Sequence, residues 1–352
     1  MAAPKKTAAD NSAMKDLKRA LKEGTLGRLY VFHGEETYLR EYYLGEMKKA
    51  LLPDGLDAFN LHTVSGKECT PDLLAQKVDC FPMMSERTMI LVTDYDLTSG
   101  GEETREALIS LFEDLPDYCC LVFLYDLIPY KMDARTKLAA ALKQHGQVVH
   151  FQRQEQGDLV DWIARRFKAA GKAIGTEEAR YLLFLCGDLM TNLITEIDKI
   201  SAYSKAPRIT KEDIDAVAVP VVEAVVFSMT EAIVQGNFDR AATVLSDLLA
   251  AQEAPIMILA VLGKNLRDLY TARLARETGK NTAWVMEQRG MKNSWPAEKL
   301  MDNARRFSLG WCRNAMRRCA ETDLAMKSSY GAERELLVAF LMELATSGRE
   351  RP

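Results

Sequence analysis

The segment after a predicted strand has residues at the positions where a phosphate-binding loop would carry its chemistry. A Walker A loop, G-x-x-x-x-G-K-[ST], uses its second glycine for close backbone approach, its lysine for the outer phosphates and its hydroxyl for magnesium. Aligned on Gly34, the chain has Leu39 in place of the second glycine, Arg40 in place of the lysine and Glu41 in place of the hydroxyl. These residues predict a capped helix that binds no nucleotide, with a degenerate nucleotide site as the alternative.

Acidic residues near the same position also favour the interpretation that no nucleotide binds here. Glu35 and Glu36 lie where phosphates would bind, and their charges suit a helix N-terminus but repel a triphosphate. Asp94 follows another predicted strand and resembles a Walker B aspartate. Its neighbour is Tyr95 rather than a second acid, which is typical of an ordinary loop.

Other residue types with catalytic potential show no chemical spacing. The seven cysteines include no C-x-x-C pair, and the four histidines lack the spacing of metal ligands. The odd cysteine number also argues against a disulfide framework. No Ser/His/Asp, Cys/His or paired-carboxylate arrangement stands out. We therefore expect no catalytic residue, no metal and no cofactor.

The composition is that of an ordinary globular protein. The chain has 352 residues, of which 48% are hydrophobic and 27% charged, and this length predicts two or three domains. A net charge of −4 argues against a protein whose main surface wraps nucleic acid, although it allows a local basic patch. The sequence shows no signal peptide and no long apolar run. We expect a cytoplasmic protein that does not bind membranes.

Strands alternate with helices over residues 12–152, which predicts an α/β domain with a parallel sheet. Residues 1–11 are small and polar, and we expect them to be disordered. The predicted strands cover residues 28–32, 59–64, 88–92, 119–124 and 147–151.

From residue 157 onward the pattern is helical throughout. Proline residues at 207 and 220 interrupt this part of the chain. We expect two all-α domains, a small one over residues 153–219 and a larger one over residues 220–352.

An apolar pair lies at a connection between a helix and a strand. Pro82 ends the helix after Phe81, and Met83 and Met84 follow before a polar segment. Connections run over the surface, and exposed apolar side chains indicate a partner pocket. The alternative is that both methionines fold back onto the core.

A basic cluster surrounds a tryptophan in the last block. One interpretation is contact with DNA through phosphate pairing and stacking by Trp311, Arg313, Arg317 and Arg318. We favour the alternative, a solvated helix face whose charges are balanced by nearby acids.

Four segments in order resemble the delta subunit family of bacterial DNA polymerase III clamp loaders. They are LYVFHGEETYLREYYL at residues 29–44, FPMMSERTMILVTDYDL at 81–97, GDLMTNLITEIDKISAY at 187–203, and AETDLAMKSS at 320–329. Each segment alone is a loose match, but their order and spacing fit over most of the chain. Glu196 and Lys199, in the third segment, are interpreted as a surface ion pair.

The resemblance implies an AAA+-like α/β domain without a functional P-loop, then a helical lid and a helical collar. It also implies a non-catalytic subunit that engages the sliding clamp (beta) and holds it open. The expected partners are the motor subunits (tau/gamma), delta-prime and primer-template DNA in the assembled loader. We expect the collar to use apolar helix faces that include Leu245, Leu248, Leu249, Leu259, Leu262 and Leu266.

The clamp-binding tip departs from the family pattern. The family usually has Leu-Phe where this chain has Met83-Met84, which is still apolar and adaptable. The resemblance therefore implies clamp binding by Phe81, Pro82, Met83 and Met84. The alternatives are an AAA+-type ATPase, opposed by the missing lysine, and a delta-prime-like stator, opposed by the missing Ser-Arg-Cys motif.

Overall fold

The computed structural model describes residues 8–52, 55–328 and 331–346. The chain divides into two compact units, Met1–Gln154 and Glu155–Pro352. The predicted fold class, a parallel α/β part followed by helices, is confirmed. A further division of the second unit near residue 219 stays a prediction.

A parallel sheet of five strands is the centre of the first unit. The strands are β1 (Leu29–His33), β2 (Leu61–Ser65), β3 (Thr88–Thr93), β4 (Cys119–Leu124) and β5 (Gln147–His150), in the order β2-β3-β4-β1-β5. Because all neighbours are parallel, every strand begins at one edge of the sheet and ends at the other.

Apolar runs form the central strands because both faces of a parallel sheet are covered. Val31 and Phe123 pack into the core on one face, whereas Tyr30 and Val122 pack into the core on the other. This explains why β1, β3 and β4 read as continuous apolar segments rather than alternating ones.

Six helices accompany the sheet among the described residues of the first unit. They are α1 (Ala8–Glu23), α2 (Thr37–Leu51), α3 (Asp57–Asn60), α4 (Pro71–Val78), α5 (Glu102–Glu113) and α6 (Lys137–His145). The start of α4 has a local cause, because the Thr70 hydroxyl accepts a hydrogen bond from the Leu73 N–H and Pro71 occupies the first turn.

The predicted disorder of residues 1–11 is wrong over residues 8–11, which belong to α1. Leu17 and Ala20 of this helix are buried against the sheet. This packing stabilises the whole helix, including a polar first turn that has no helical pattern in the sequence. Residues 1–7 lie outside the described part of the chain.

The second unit is mainly helical. Its helices are α7 (Gln156–Ala169), α8 (Thr176–Cys186), α9 (Met190–Tyr203), α10 (Lys211–Val217), α11 (Val222–Gln235), α12 (Phe238–Ala250), α13 (Pro255–Glu277), α14 (Thr282–Arg289), α15 (Ser294–Asn303), α16 (Leu309–Ser328) and α17 (Glu333–Thr346), with a 3-10 turn at Ala304–Arg306. The sequence analysis missed a short parallel pair, β6 (Ala173–Ile174) with β7 (Arg208–Ile209), which is too short to produce a periodic pattern.

Within the described residues, no single helix is both long and apolar enough to cross a membrane. The bent pair α10 and α11 meets the length and composition criteria together. Most of the apolar side chains of α11 are buried in the core of the second unit.

Candidate protein-binding site

The connection between α4 and β3 exposes an apolar loop, defined here as Phe81–Met84. The side chain of Phe81 is 78% exposed, that of Met83 56% and that of Met84 88%, while Pro82 is partly buried. The alternative in which both methionines fold back onto the core is therefore wrong. Large apolar side chains this exposed are typical of a surface that binds a partner.

A buried asparagine holds the middle of the apolar loop. Asn60 is fully buried at the end of α3. Its Oδ1 accepts the Met83 N–H at 2.7 Å, and its Nδ2 donates to the Met83 carbonyl at 2.9 Å. Nδ2 also donates to the Leu56 carbonyl at 3.1 Å. One side chain thus satisfies both backbone groups of Met83.

The C-terminal side of the loop has its own anchor. The Arg87 guanidinium donates to the carbonyls of Leu26 at 2.7 Å, Gly27 at 2.9 Å and Cys119 at 3.2 Å. Met84, between the two anchors, has a positive φ of 54°, which is uncommon for a side chain of this size. The exposed tip is consequently held from both sides in a defined backbone conformation.

Aromatic packing supports the first residue of the loop. The rings of Phe81 and Tyr118 lie 5.2 Å apart between centroids, at 35° to one another. Tyr118 comes directly before β4, so this contact also lies at the edge where the strands begin.

Sequence reasoning missed Asn60 and Arg87. We predicted a strand over residues 59–64, but Asn60 ends a short helix and β2 begins at Leu61. Asparagine is depleted in strands, and that preference was the available signal. For Arg87, nothing in the local sequence indicated three carbonyl acceptors from distant segments.

The Gly34 turn, residues 34–36 after β1, is closed by the segment after β5. The Glu36 N–H donates to the Phe151 carbonyl at 2.9 Å, and the Phe151 N–H donates to the His33 carbonyl at 2.7 Å. Gly34 has a φ of 122°, and a Cβ atom there would lie 2.4 Å from the Phe151 carbonyl oxygen. Backbone therefore occupies the space beside this turn.

Arg40 is buried under the Gly34 turn. Its guanidinium donates to the Gly34 carbonyl at 3.0 Å and to the Tyr125 carbonyl at 2.9 Å, and it pairs with the carboxylate of Asp126. At the Walker lysine position the chain thus has a cation, Arg40, whose hydrogen bonds are directed to backbone carbonyls and to the carboxylate of Asp126 in the same chain.

The remaining residues of the degenerate P-loop position are apolar or acidic. Leu39 is partly buried against the core, and Glu41 is exposed. Glu35 pairs with Arg153 at 3.0 Å, and Glu36 is buried. Acidic side chains and the absence of a lysine at this position oppose a bound triphosphate.

Asp94 has a structural role that explains its position after β3. Its Oδ1 accepts hydrogen bonds from the N–H groups of Asp126 and Leu127, both at 2.8 Å, and of Ile128 at 3.2 Å. Its φ is 56°, a conformation that aspartate tolerates better than most residues. The carboxylate organises the loop after β4 and in turn positions the partner of Arg40.

The apolar loop and the Gly34 turn lie at opposite edges of the sheet. The groups that hold the apolar loop belong to Asn60, Arg87, Leu26, Gly27 and Cys119, which precede or begin strands. The groups that close the turn follow strands, at Phe151, Tyr125 and Asp126.

The basic cluster on α16 is divided by burial. Trp311 is only 5% exposed and stacks on Phe307, with 4.0 Å between ring centroids. The interpretation in which it stacks on DNA, which we did not favour from the sequence, is wrong, because the indole is part of the core. Arg313 is exposed, and Arg317 and Arg318 each approach Glu321, at 4.0 and 3.7 Å. Contact of these arginines with DNA stays a prediction.

Two further assignments change in the second unit. Glu196 is largely buried, and its Oε2 binds Lys199 at 2.7 Å and accepts the Val219 N–H at 3.2 Å, so the pair is not a simple surface pair. The leucines expected on the collar interface are core residues, with Leu249 partly buried and the others buried: Leu245, Leu248, Leu259, Leu262 and Leu266. Their spacing reflects packing within this unit.

No group of three or more histidine, cysteine, aspartate or glutamate side chains capable of holding a metal ion occurs in residues 8–52, 55–328 and 331–346. The cysteines are free thiols. Burial raises the pKa of Cys119 and Cys120 to about 12 and that of Cys69 to about 11, which disfavours the reactive thiolate.

Two family models and two relatives that resemble this chain share one description. Residues 30–152 match the family model "DNA polymerase III, delta subunit", and residues 223–344 match the model of its C-terminal domain. The chain is 27% identical over 339 residues to DNA polymerase III subunit delta of Bacillus subtilis, covering 94% of this chain and 96% of the relative. It is 23% identical to a probable delta subunit of Aquifex aeolicus, covering 76% and 77%.

A solved structure supports the same relationship. The Bacillus subtilis DNA clamp loader delta protein superposes with a TM-score of 0.54 at 26% identity, covering 94% of this chain and 99% of that one. The two family models together account for more than half of the residues and agree with the full-length relatives. The chain therefore belongs to the delta subunit family of the DNA polymerase III clamp loader.

Proposed function

We propose that this protein binds the sliding clamp through the apolar loop Phe81–Met84 and holds the clamp open for loading onto primed DNA. The observation that carries the proposal is the exposure of Phe81, Met83 and Met84 on a loop whose backbone is held from both sides. Burial of a few central apolar anchors dominates the free energy of many interfaces.

The energetic argument rests on what these side chains do in the free chain. Moving three large apolar side chains from water into a partner pocket lowers the free energy of the complex by roughly 25 cal/mol per Å² of apolar surface buried. They contribute little to folding, because they are largely exposed already. This combination favours selection for binding rather than for stability.

We further propose that the protein acts without binding or hydrolysing ATP. Arg40 is directed to internal acceptors, and Phe151 closes the turn beside Gly34. The motor subunits (tau/gamma) of the loader would supply nucleotide chemistry, with delta-prime as the other expected neighbour.

The second unit supports the proposed assembly role. Leu324 on α16 and Met342 on α17 are large apolar side chains exposed to solvent, and Val338 lies one turn before Met342. We assign contact with other loader subunits to these residues in place of the buried leucines. We expect this protein to contact primer-template DNA as part of the assembled, cytoplasmic complex.

Titration calorimetry with the sliding clamp of the same organism tests the proposal. The Met83→Ala/Met84→Ala variant should bind about 30- to 1000-fold more weakly than the wild type, equivalent to roughly 2–4 kcal/mol. A Leu324→Ala/Met342→Ala variant is the matched control, since it also removes two exposed apolar side chains but should bind the isolated clamp normally.

Clamp opening is a separate step and needs its own readout. A clamp labelled with a quenched fluorophore pair across its subunit interface should brighten when the wild-type protein is added. It should stay dark with the Met83→Ala/Met84→Ala variant at equal concentration. If calorimetry finds normal clamp affinity for the Met83→Ala/Met84→Ala variant, the proposed binding site is contradicted.

A further inference from the structure

The apolar loop lacks the usual source of loop order. Its large side chains are mostly exposed, so packing against the core does little to fix its conformation. When a partner fixes a free loop of this kind, the loss of backbone conformational entropy opposes binding. The groups that fix Met83 in the free protein are therefore the groups that reduce this cost.

Asn60 is suited to that role by its position and its chemistry. It is fully buried, and it exchanges two hydrogen bonds with the backbone of Met83, 23 residues away. A third bond to the Leu56 carbonyl orients the amide, since only Nδ2 can donate to both carbonyl groups. Both hydrogen bonds from Asn60 to Met83 are to the main chain of Met83, and they do not depend on its side chain.

The backbone of the next residue increases the need for such a contact. Met84 has a positive φ of 54°, a conformation that a methionine in a free loop would rarely adopt. Asn60 on one side and Arg87 on the other hold the segment in which this conformation occurs. Of the two, Asn60 contacts a residue of the apolar loop directly.

We propose that Asn60 is a positioning residue that orders the apolar loop before the clamp binds. The inference rests on the proposed function and adds to it that affinity depends on a buried amide that does not itself have to touch the clamp. Loss of this amide should lower the fraction of molecules with a binding-competent loop, and apparent affinity falls by that fraction.

A double-mutant cycle tests the inference with the clamp as probe. Asn60→Ala should weaken clamp binding about tenfold in the wild-type background. In the Met83→Ala/Met84→Ala background the same substitution should change affinity less than about twofold, because the two anchors nearest to the Asn60 contact have been removed. An equal effect in both backgrounds would overturn the inference.

General destabilisation needs a matched control. Leu142→Ala removes a buried side chain from α6 in the same unit, and it should lower stability without affecting clamp affinity. If Asn60→Ala weakens binding no more than Leu142→Ala does, Asn60 has only a structural role. If the Met83→Ala/Met84→Ala variant itself binds normally, the proposed binding site is wrong instead.

A measurement on the wild-type protein does not depend on whether Asn60→Ala folds. The Met83 N–H should exchange with deuterium at least about a hundredfold more slowly than in an unstructured peptide, although its side chain is exposed. Exchange at the unstructured rate would show that the loop is not held, and would overturn the inference.

Discussion

The guanidinium of Arg40 pairs with the carboxylate of Asp126, 86 residues further along the chain, across the edge of the sheet where the strands end. Asp126 is held in turn because its N–H donates to Asp94. The three residues connect the segments that follow β1, β3 and β4. At the position where a Walker A lysine would meet phosphate, the chain thus has an internal ion pair.

Replacing Arg40 by methionine should destabilise the first unit. The substitution keeps an apolar stem of similar length but leaves the Gly34 and Tyr125 carbonyls without their donor. We expect the free energy of unfolding to fall by about 2–4 kcal/mol, a range that already allows for the half exposure of Asp126. Urea unfolding measures this change. Arg135→Ala, which removes an exposed pair with Asp133, should change stability by less than about 0.5 kcal/mol.

Restoring the Walker residues should not restore ATP binding. The Leu39→Gly/Arg40→Lys/Glu41→Thr variant supplies the missing glycine, lysine and hydroxyl, but Phe151 still closes the turn beside Gly34. Titration calorimetry with ATP and magnesium should show no binding for the wild type or for the variant. A micromolar dissociation constant for the wild type would instead favour a degenerate nucleotide site.

Cys80 should be the cysteine that reacts fastest with a thiol reagent. It is partly exposed at the start of the apolar loop, whereas the other six cysteines are buried. Mass spectrometry after brief iodoacetamide treatment at pH 8 should find the label on Cys80 first, and little label on Cys119 or Cys120. Cys80→Ser is the control, and it should leave the folded protein nearly unlabelled.

The same thiol reports on the proposed interface. Addition of the clamp should slow labelling of Cys80 in the wild type, because the neighbouring Phe81 becomes covered. In the Met83→Ala/Met84→Ala variant the clamp should give no protection. Protection that persists in this variant would place the clamp contact on other residues.

His62 should make stability fall as the pH is lowered. Burial, followed by repulsion from Lys77, lowers the pKa of this imidazole below its ordinary value of 6.5. The unfolded chain therefore takes up a proton first as the pH falls below about 6.5. The stability that His62 contributes is complete above that pH and is lost as the pH falls towards the folded-state pKa.

The measurement compares urea unfolding at pH 7.5 and pH 5.5. His62→Gln should reduce the difference in unfolding free energy between the two conditions. Lys77→Met should raise the pKa of the His62 ring in an NMR titration, though only in part, since burial is the larger cause. An unchanged pH dependence in His62→Gln would assign the effect to other groups.

Much of the fold could be predicted from local patterns. Continuous apolar runs located β3 and β4, because this signal acts within a few residues. The start of α1 depended on packing of Leu17 against the sheet, which no local signal shows. The pair β6 and β7 depended on one short segment meeting another far along the chain.

The candidate site was predicted in its residues but not in its supports. The sequence left open whether Met83 and Met84 are exposed or fold back onto the core, and α4 ends at Val78 rather than directly before Pro82. The sequence alone did not show that Trp311 is buried, because an aromatic residue among arginines has the same composition in a core-facing helix as on a nucleic-acid surface. The acceptors of Arg40 come from residues 34, 125 and 126, and spacing along the sequence does not bring them together.

The placement of the apolar loop and the Gly34 turn at opposite edges of one sheet has an evolutionary consequence. The hydrogen bonds that hold the loop come from residues before or at the starts of strands, and those that close the turn come from residues after their ends. Substitutions at the Gly34 turn could therefore accumulate at one edge without disturbing the contacts that hold the apolar loop at the other. Selection could act on the two edges of the same sheet separately, because different residues hold the apolar loop and close the turn.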